Sequence, residues 1–456
     1  MSHSAAPVRP DPAGDRHIFH SALRRQYPVI SHGEGCYLYD TDGKRYLDAC
    51  GGAMVVNIGH GIPEIAQVMQ EQVGRVAFAH RGQFSNAPLQ RLAALVAEMA
   101  PAGLDLFFPV CGGSEAVETA IKLAHKYHRD RGRPEKRRVI ARWQSYHGNT
   151  LGALSASGFS MRRAQYASLL IDFPHIAPMY CYRCPFGTAY PACGLACAND
   201  LERIIRQEGA HTLSAFIAEP LVAAAGGAPV PPRDYFARIR EICDRYDVLF
   251  ISDEIVTGFG RTGRTFAIQH WDTVPDLIVV AKGMSSGYAP LAGVIVKRAI
   301  AETIRDASGL FPHGYTYGGN PVGAAVGVCV LEYLRKHQLI ERAAEMGVYL
   351  HERLATLRVH PSVGDVRGLG LLAGIEFVRD RATKAPFDPV TGYGLAVVQE
   401  ATRRGLLVYP GTGSVDGVAG DHVLLAPPFI ITREQIDTAV GLLDETLIAT
   451  EQRYLA

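Results

Sequence analysis

Val248-Leu-Phe-Ile-Ser-Asp253-Glu-Ile-Val256 and, after a polar passage, Asp276-Leu-Ile-Val-Val-Ala-Lys282-Gly283 decide the fold. Val248 to Ile251 and Leu277 to Ala281 are short, nearly continuous apolar runs, the texture of strands buried on both faces of a parallel sheet. Each run ends in a charged residue. In open α/β sheets ligands gather at the carboxyl ends of the strands, so Asp253 and Lys282 are expected to face one crevice. Leu106-Phe-Phe-Pro-Val-Cys111, Val139-Ile-Ala-Arg-Trp143 and Ala215-Phe-Ile-Ala218 read as further buried strands. Between them, Ala116, Val117, Ala120, Ile121 and Ala124 keep helical spacing, as does the stretch from Arg233 to Tyr246. Strands separated by helical crossovers predict an α/β fold with a mainly parallel sheet.

The flanks differ in texture. Residues 1–16 are polar and Pro-rich and are expected to be a flexible arm. Tyr27 to Ile30, Cys36 to Tyr39 and Arg45 to Asp48 read as short strands around the turn Asp40-Thr-Asp-Gly43, followed by helical patterns from Pro63 to Gly74 and from Pro88 to Met99. From about Leu334 amphipathic helices alternate with strand-like runs at Leu371 to Phe377, Leu406 to Tyr409 and Val423 to Ala426. The last helix opens at Thr432 with Gln435 three residues on, a capping-box spacing. The expected organisation is an arm over residues 1–16, a small-domain portion over 17–70, a large domain over 71–333 and a second α+β portion over 334–456.

Composition narrows the function classes. Hydrophobic residues make up 48% of the 456 positions, charged residues 20%, and the formal net charge is +1. That balance argues against disorder and against a polyanion-binding surface, so nucleic acid is not an expected partner. No uncharged apolar run reaches membrane-spanning length, and the N-terminus lacks the apolar centre of a signal peptide, so a soluble cytoplasmic protein without a membrane partner is expected. Nine cysteines, an odd number, suggest free thiols rather than a disulfide framework.

An amine and a carboxylate delivered to one crevice suit pyridoxal phosphate: Lys282 would form a Schiff base with the aldehyde and Asp253 would pair with the pyridine nitrogen. A buried ion pair is the plainer alternative. Gly112-Gly113-Ser114 feeds a helix N-terminus, where free backbone N–H groups and the helix dipole favour a phosphate; the alternative is a plain Ser cap. Tyr146 and His147, at another strand end, would stack on a cofactor ring or pack beneath a loop. Thr316, in a Gly-rich turn, would donate to a phosphate or merely open a helix. Gly258-Phe-Gly260-Arg-Thr-Gly263 matches the dinucleotide fingerprint in form, but its glycines open no apolar-periodic helix, and it reads as a tight turn. Cys181, Cys184, Cys193 and Cys197 are candidate zinc ligands, against free or redox-active thiols in a loop.

In their order along the chain, Gly113-Ser114-Glu115-Ala116, Tyr146-His147-Gly148, Glu219-Pro220, Asp253-Glu254-Ile255, Gly258 to Gly263, Ala281-Lys282-Gly283 and Thr316-Tyr317 resemble the motifs of class III aminotransferases. The resemblance runs from about Tyr27 to the C-terminus. It implies the fold type I architecture, a seven-stranded-type sheet with a smaller domain built from both chain ends. Pyridoxal phosphate is the implied cofactor, with Lys282 as the Schiff-base lysine and proton carrier and Asp253 on the pyridine nitrogen. Tyr146 and Val256 would cover the two ring faces, Gly113 and Ser114 would hold the phosphate, and Glu219 would orient the groups near Asp253. It further implies a homodimer, or a tetramer built from it, in which Thr316 reaches the partner's phosphate.

Departures from the family bear on the substrate. Asn149 and Ala224 stand where members acting on γ-aminobutyrate or ornithine resemble one another in an Arg and a Glu. Gly417-Val418-Ala419 holds no arginine before Gly420-Asp421-His422, and Met54 stands at the pocket Trp position of ω-amine:pyruvate members. Arg81 is then the candidate carboxylate receptor. The expected reaction moves an amino group from an ω-amine or β-amino compound to an oxo acid, with pyruvate favoured, in a ping-pong sequence. An aminomutase, a decarboxylase and a 2-oxoglutarate-using aminotransferase are the alternatives on the same cofactor.

Overall fold

The computed structural model describes residues 17–455, so the arm expected over residues 1–16 lies outside the described residues. Its strands are β1 (Ile30–Glu34), β2 (Tyr37–Asp40), β3 (Arg45–Asp48), β4 (Leu104–Val110), β5 (Arg138–Arg142), β6 (His175–Ile176), β7 (Leu213–Ala218), β8 (Leu249–Asp253), β9 (Leu277–Val280), β10 (Ala292–Lys297), β11 (Val363–Leu369), β12 (Leu372–Phe377), β13 (Leu406–Leu407), β14 (Tyr409–Gly411) and β15 (His422–Leu425). The central sheet has seven strands in the order β4-β10-β9-β8-β7-β5-β6. Strands β6, β5, β7, β8 and β9 run parallel to one another. Only β10 is reversed, lying antiparallel to both β4 and β9.

The apolar runs form strands because each has two covered faces. Phe216, Phe250 and Ile278 pack with Phe236 of the helix Tyr235–Arg245 on one side. Their neighbours Ile217, Ile251 and Val279 pack with Val117 and Ile121 of the helix Gly113–Asp130 on the other. This period of two follows from the pleat, and each fully buried side chain of this kind contributes about 1.5 to 3 kcal/mol. Asp276 sets the start of β9 and holds β8 beside it: its Oδ2 accepts from Phe250 N at 2.8 Å and from Arg240 Nη1 at 2.7 Å.

Strand β10 was not distinguished in the sequence. The chain passes from β9 to β10 with a single helical turn, Lys282–Met284, and no crossover helix. Neighbouring strands joined without a crossover meet antiparallel.

Two smaller sheets complete the fold, β1-β2-β3-β13 and β11-β12-β15-β14. The first strand starts at Ile30, not Tyr27; Pro28 lacks the N–H a ladder needs. The run Leu406 to Tyr409 is not one strand: β13 pairs with β3 in parallel, whereas β14 pairs with β15, so the chain changes sheet at Val408. The helix Pro321–Lys336 runs continuously through residue 333, where the large domain was expected to end. The last helix, Arg433–Tyr454, carries the expected capping box, with Gln435 N donating to Thr432 Oγ1 at 3.2 Å. Among the described residues no helix is long and apolar enough to cross a membrane.

Candidate active site

The carboxyl ends of β4, β5, β7, β8 and β9 deliver Ser114, Tyr146, Glu219, Asp253 and Lys282 to one edge of the sheet. Asp253 closes β8 and is buried; its Oδ2 lies 2.6 Å from His147 Nδ1, and its Oδ1 accepts from Ile255 N at 3.0 Å. With Asp253 as a carboxylate, which only accepts, the hydrogen of that pair would sit on Nδ1. The other ring nitrogen, His147 Nε2, is buried without a hydrogen-bond partner among the described residues. Two backbone hydrogen bonds fix the neighbours: His147 N donates to Ser157 Oγ at 2.8 Å and Tyr146 N to Glu219 Oε1 at 2.9 Å. Burial pushes the Glu219 carboxyl above the ordinary range.

Lys282 stands two positions beyond the end of β9, with φ of 40°, in the left-handed region that costs a side-chain-bearing residue about 1 to 3 kcal/mol. The next residue explains why the turn is tight. A Cβ on Gly283 would stand 2.2 Å from Asn57 Nδ2, so only glycine fits there. The Lys282 side chain keeps some access to solvent, and desolvation by the surrounding protein pulls its pKa down to about 8 against the raising influence of Glu219 and Asp253. Among the described residues the amine has no hydrogen-bond partner.

At the start of the helix Gly113–Asp130 no side chain caps the first turn; Glu115 turns back to accept from Cys111 N at 2.8 Å. Ser114 Oγ accepts from Asn149 N at 3.1 Å. Gly148 lets these two loops meet, with φ of 135° and room for no Cβ, which would lie 2.4 Å from Ser114 Oγ. The uncapped helix N-terminus, the unpartnered amine and the buried carboxylate fit the phosphate, aldehyde and pyridine nitrogen of pyridoxal phosphate. Val256 is partly buried against the core beside this edge.

A cavity of about 590 Å³ adjoins Tyr146, lined in part by Phe159, Arg162, Ala224, Tyr409, Val418 and Asp421. Phe159 meets the Tyr146 ring edge-on, with centroids 6.4 Å apart. Met54 is buried in the core with φ of 59°.

Other singled-out residues fall elsewhere. Arg81 is not among the cavity's lining residues; its guanidinium lies 4.2 Å over the Phe108 ring and donates to Pro109 O at 3.4 Å. Thr316 is exposed, on the segment leading to the helix Pro321–Lys336. Cys181, Cys184, Cys193 and Cys197 are free thiols, and among the described residues no group of three or more His, Cys, Asp or Glu is arranged to hold a metal ion.

Sequence reasoning missed three arginines. Arg142 is fully buried at the end of β5 and donates through Nη2 to Glu219 O. Arg261, assigned to a turn, is fully buried, donating to Leu371 O at 3.0 Å, to Pro427 O at 2.5 Å and to Asn57 Oδ1 at 2.7 Å. Arg162 lines the cavity. A fully buried arginine is legible only from its partners, which are distant in the chain.

The sequence profile of the family described as aminotransferase class-III matches residues 21–447. The chain is 42% identical to the Bacillus subtilis aminotransferase YodT over 431 residues, 94% of this chain and 97% of that one. It is 36% identical over 430 residues to the putrescine–pyruvate aminotransferase of Pseudomonas aeruginosa, covering 94% and 92% of the two chains. Among solved structures, the thermostable (S)-enantioselective omega-transaminase of Thermomicrobium roseum superposes with a TM-score of 0.90 at 38% identity, covering 96% of this chain and 98% of that one.

Proposed function

The chain belongs to the class III aminotransferases, which depend on pyridoxal phosphate, and we propose that it moves an amino group from an ω-amine or β-amino compound to an oxo acid, with pyruvate as acceptor. The observation that carries this reading is the cavity beside Tyr146. Its walls are predominantly apolar, and Ala224 occupies the position where a larger acidic side chain would narrow it. Such a space suits the hydrocarbon body of an amine. The putrescine–pyruvate aminotransferase among its relatives pairs an amine donor with this acceptor.

The bound cofactor supplies the electron sink that stabilises negative charge at the carbon losing its proton. In this reading Gly113 and Ser114 hold the phosphate, and Tyr146 and Val256 cover the ring. Asp253, oriented by His147, would hold the pyridine nitrogen and favour its protonated form, which would deepen that sink. Glu219, held by Tyr146 N and by Ala223 N at 3.2 Å, fixes the loops on either side of Asp253. Lys282 would carry the Schiff-base amine for the cofactor, and its Nζ, when free, would accept the proton from the substrate carbon. A basicity lowered to about 8 leaves a larger share of the amine neutral near physiological pH than an ordinary lysine has, which favours a general base.

We further place two copies side by side, each lending Thr316 to the other's phosphate site. Exposed Tyr317 and Phe78, their rings 6.0 Å apart, and an apolar groove of about 730 Å³ between the helices Pro63–Arg75, Ala87–Met99 and Pro321–Lys336 support such a face. Light scattering in solution tests this.

The visible spectrum of the protein with pyridoxal phosphate tests the reaction as amines, β-amino acids and diamines are added in turn. The expected result is loss of the protein-bound cofactor band with one donor, reversed by pyruvate and not by 2-oxoglutarate. A band that no donor discharges overturns the reading.

A further inference from the structure

We propose that Arg162 is the carboxylate receptor of this cavity, binding the single carboxylate of a monocarboxylic oxo acid or of a β-amino acid; the assignment rests on the aminotransferase reading above. Two adjacent arginines carry the argument. Arg163 is committed to structure: its Nη1 donates to Leu154 O at 2.9 Å and to Ser155 O and Ser157 O at 2.7 Å each. Arg162 has no carboxylate or carbonyl partner for its guanidinium among the described residues. Instead its Cζ lies 4.9 Å from the Tyr146 ring centroid and 5.5 Å from that of Phe159.

That packing holds the cation at the cavity wall without using its donors. A guanidinium resting on an aromatic face keeps its in-plane N–H groups free for a planar, two-oxygen acceptor. Among the described residues Arg162 is also the only cationic side chain lining the cavity, and the one anionic side chain there, Asp421, already accepts from Gly394 N at 2.9 Å. The aromatic beneath the guanidinium is anchored through Tyr146 N to Glu219, so the receptor is tied to the reacting edge of the sheet.

An aminotransferase passes its oxo acid through the same cavity as its donor, and a carboxylate entering apolar walls needs a fixed cation. One receptor satisfies one carboxylate. A dicarboxylate would leave its second charge among Phe159, Met161, Leu395 and Val418, which explains a preference for pyruvate-like acceptors.

The test compares an unreactive acid with its uncharged amide. Propionate and propionamide are titrated into the holoenzyme, with binding followed by calorimetry, for the natural protein, Arg162→Gln and Arg162→Lys. The expected result is that Arg162→Gln weakens propionate roughly 10- to 100-fold more than propionamide, the range expected for a charge-assisted hydrogen-bonded pair. The KM for pyruvate should rise in step while kcat falls less, and Arg162→Lys should recover part of the acid's affinity. Equal weakening of acid and amide, or a natural protein that does not distinguish them, overturns the proposal. A holoenzyme that converts no donor, yet whose propionate binding depends on Arg162, refutes the aminotransferase reading and leaves the receptor standing.

Discussion

His147 Nδ1 lies 2.6 Å from Asp253 Oδ2, joining the ends of β5 and β8 through two buried side chains. A hydrogen-bonded imidazole fixes the direction of a buried carboxylate, which a partner for a cationic ring nitrogen needs. Removing one member of a buried charge pair costs about 3 to 5 kcal/mol. Asp253→Ala should therefore lower kcat/KM by roughly 10²- to 10⁴-fold and lower the melting temperature of the holoenzyme. Steady-state kinetics with calorimetry checks both, and wild-type turnover by this variant would remove Asp253 from the proposed site.

Lys282 gives a pH dependence. Its folded-state pKa is held at about 8 by burial, below the ordinary 10.5, so the unfolded chain binds the extra proton between those values. Stability of the cofactor-free protein should thus gain from this residue as pH rises from about 8 to 10.5, where the burden of a buried charge disappears. Capture of pyridoxal phosphate should rise with a midpoint near pH 8, because only the neutral amine attacks an aldehyde. A midpoint above pH 10, seen by stopped-flow absorbance, would mean that the amine is not desolvated. Lys282→Ala should show no transamination at any pH.

Gly148 carries a φ of 135° and faces Ser114 Oγ. Gly148→Ala should cost about 1 to 3 kcal/mol in stability and loosen cofactor binding, since the loop carrying Asn149 must move off Ser114. Equilibrium dialysis against pyridoxal phosphate and thermal unfolding are the measurements. An unchanged Kd would show that the Ser114 loop does not hold the phosphate.

Arg261 ties the segment at Asn57 to the carbonyls of Leu371 and Pro427. Burial draws its pKa down to about 9, which leaves it protonated at neutral pH. Arg261→Leu should destabilise the fold by about 3 to 5 kcal/mol, because those acceptors lose their donor inside the protein. Urea unfolding gives the number directly.

Ala224 has little side chain and faces the cavity. Ala224→Phe should raise the KM of bulky amine donors about tenfold while sparing small ones, the usual scale of overpacking. Parallel KM series with a branched and an unbranched amine would test it.

The residues proposed to hold the cofactor were legible in the sequence because their signals are local. Asp253 and Lys282 each end an apolar run, and Gly112-Gly113-Ser114 feeds a periodic helix. What stayed hidden was long-range. The partner of His147 lies 106 positions away, and the carbonyls that bind Arg261 lie 110 and 166 positions away. Arg162 sits in a polar run where an exposed arginine is ordinary, and only its place over Tyr146 distinguishes it from Arg163. Strand β10 and the change of sheet at Val408 escaped because apolar runs do not state which neighbour they will pair with.

Strand β13 joins β3 by pairing Leu406 with Leu47, about 360 positions apart in the chain. On a ribosome adding 5 to 20 residues per second, Leu47 waits roughly 20 to 70 s for that neighbour. During that interval β3 is an open edge on a nascent polypeptide, while the central sheet, whose strands end at Lys297, has already emerged. Newly made chains of this protein should therefore be most dependent on chaperones, and most vulnerable to truncation, in the last quarter of their synthesis.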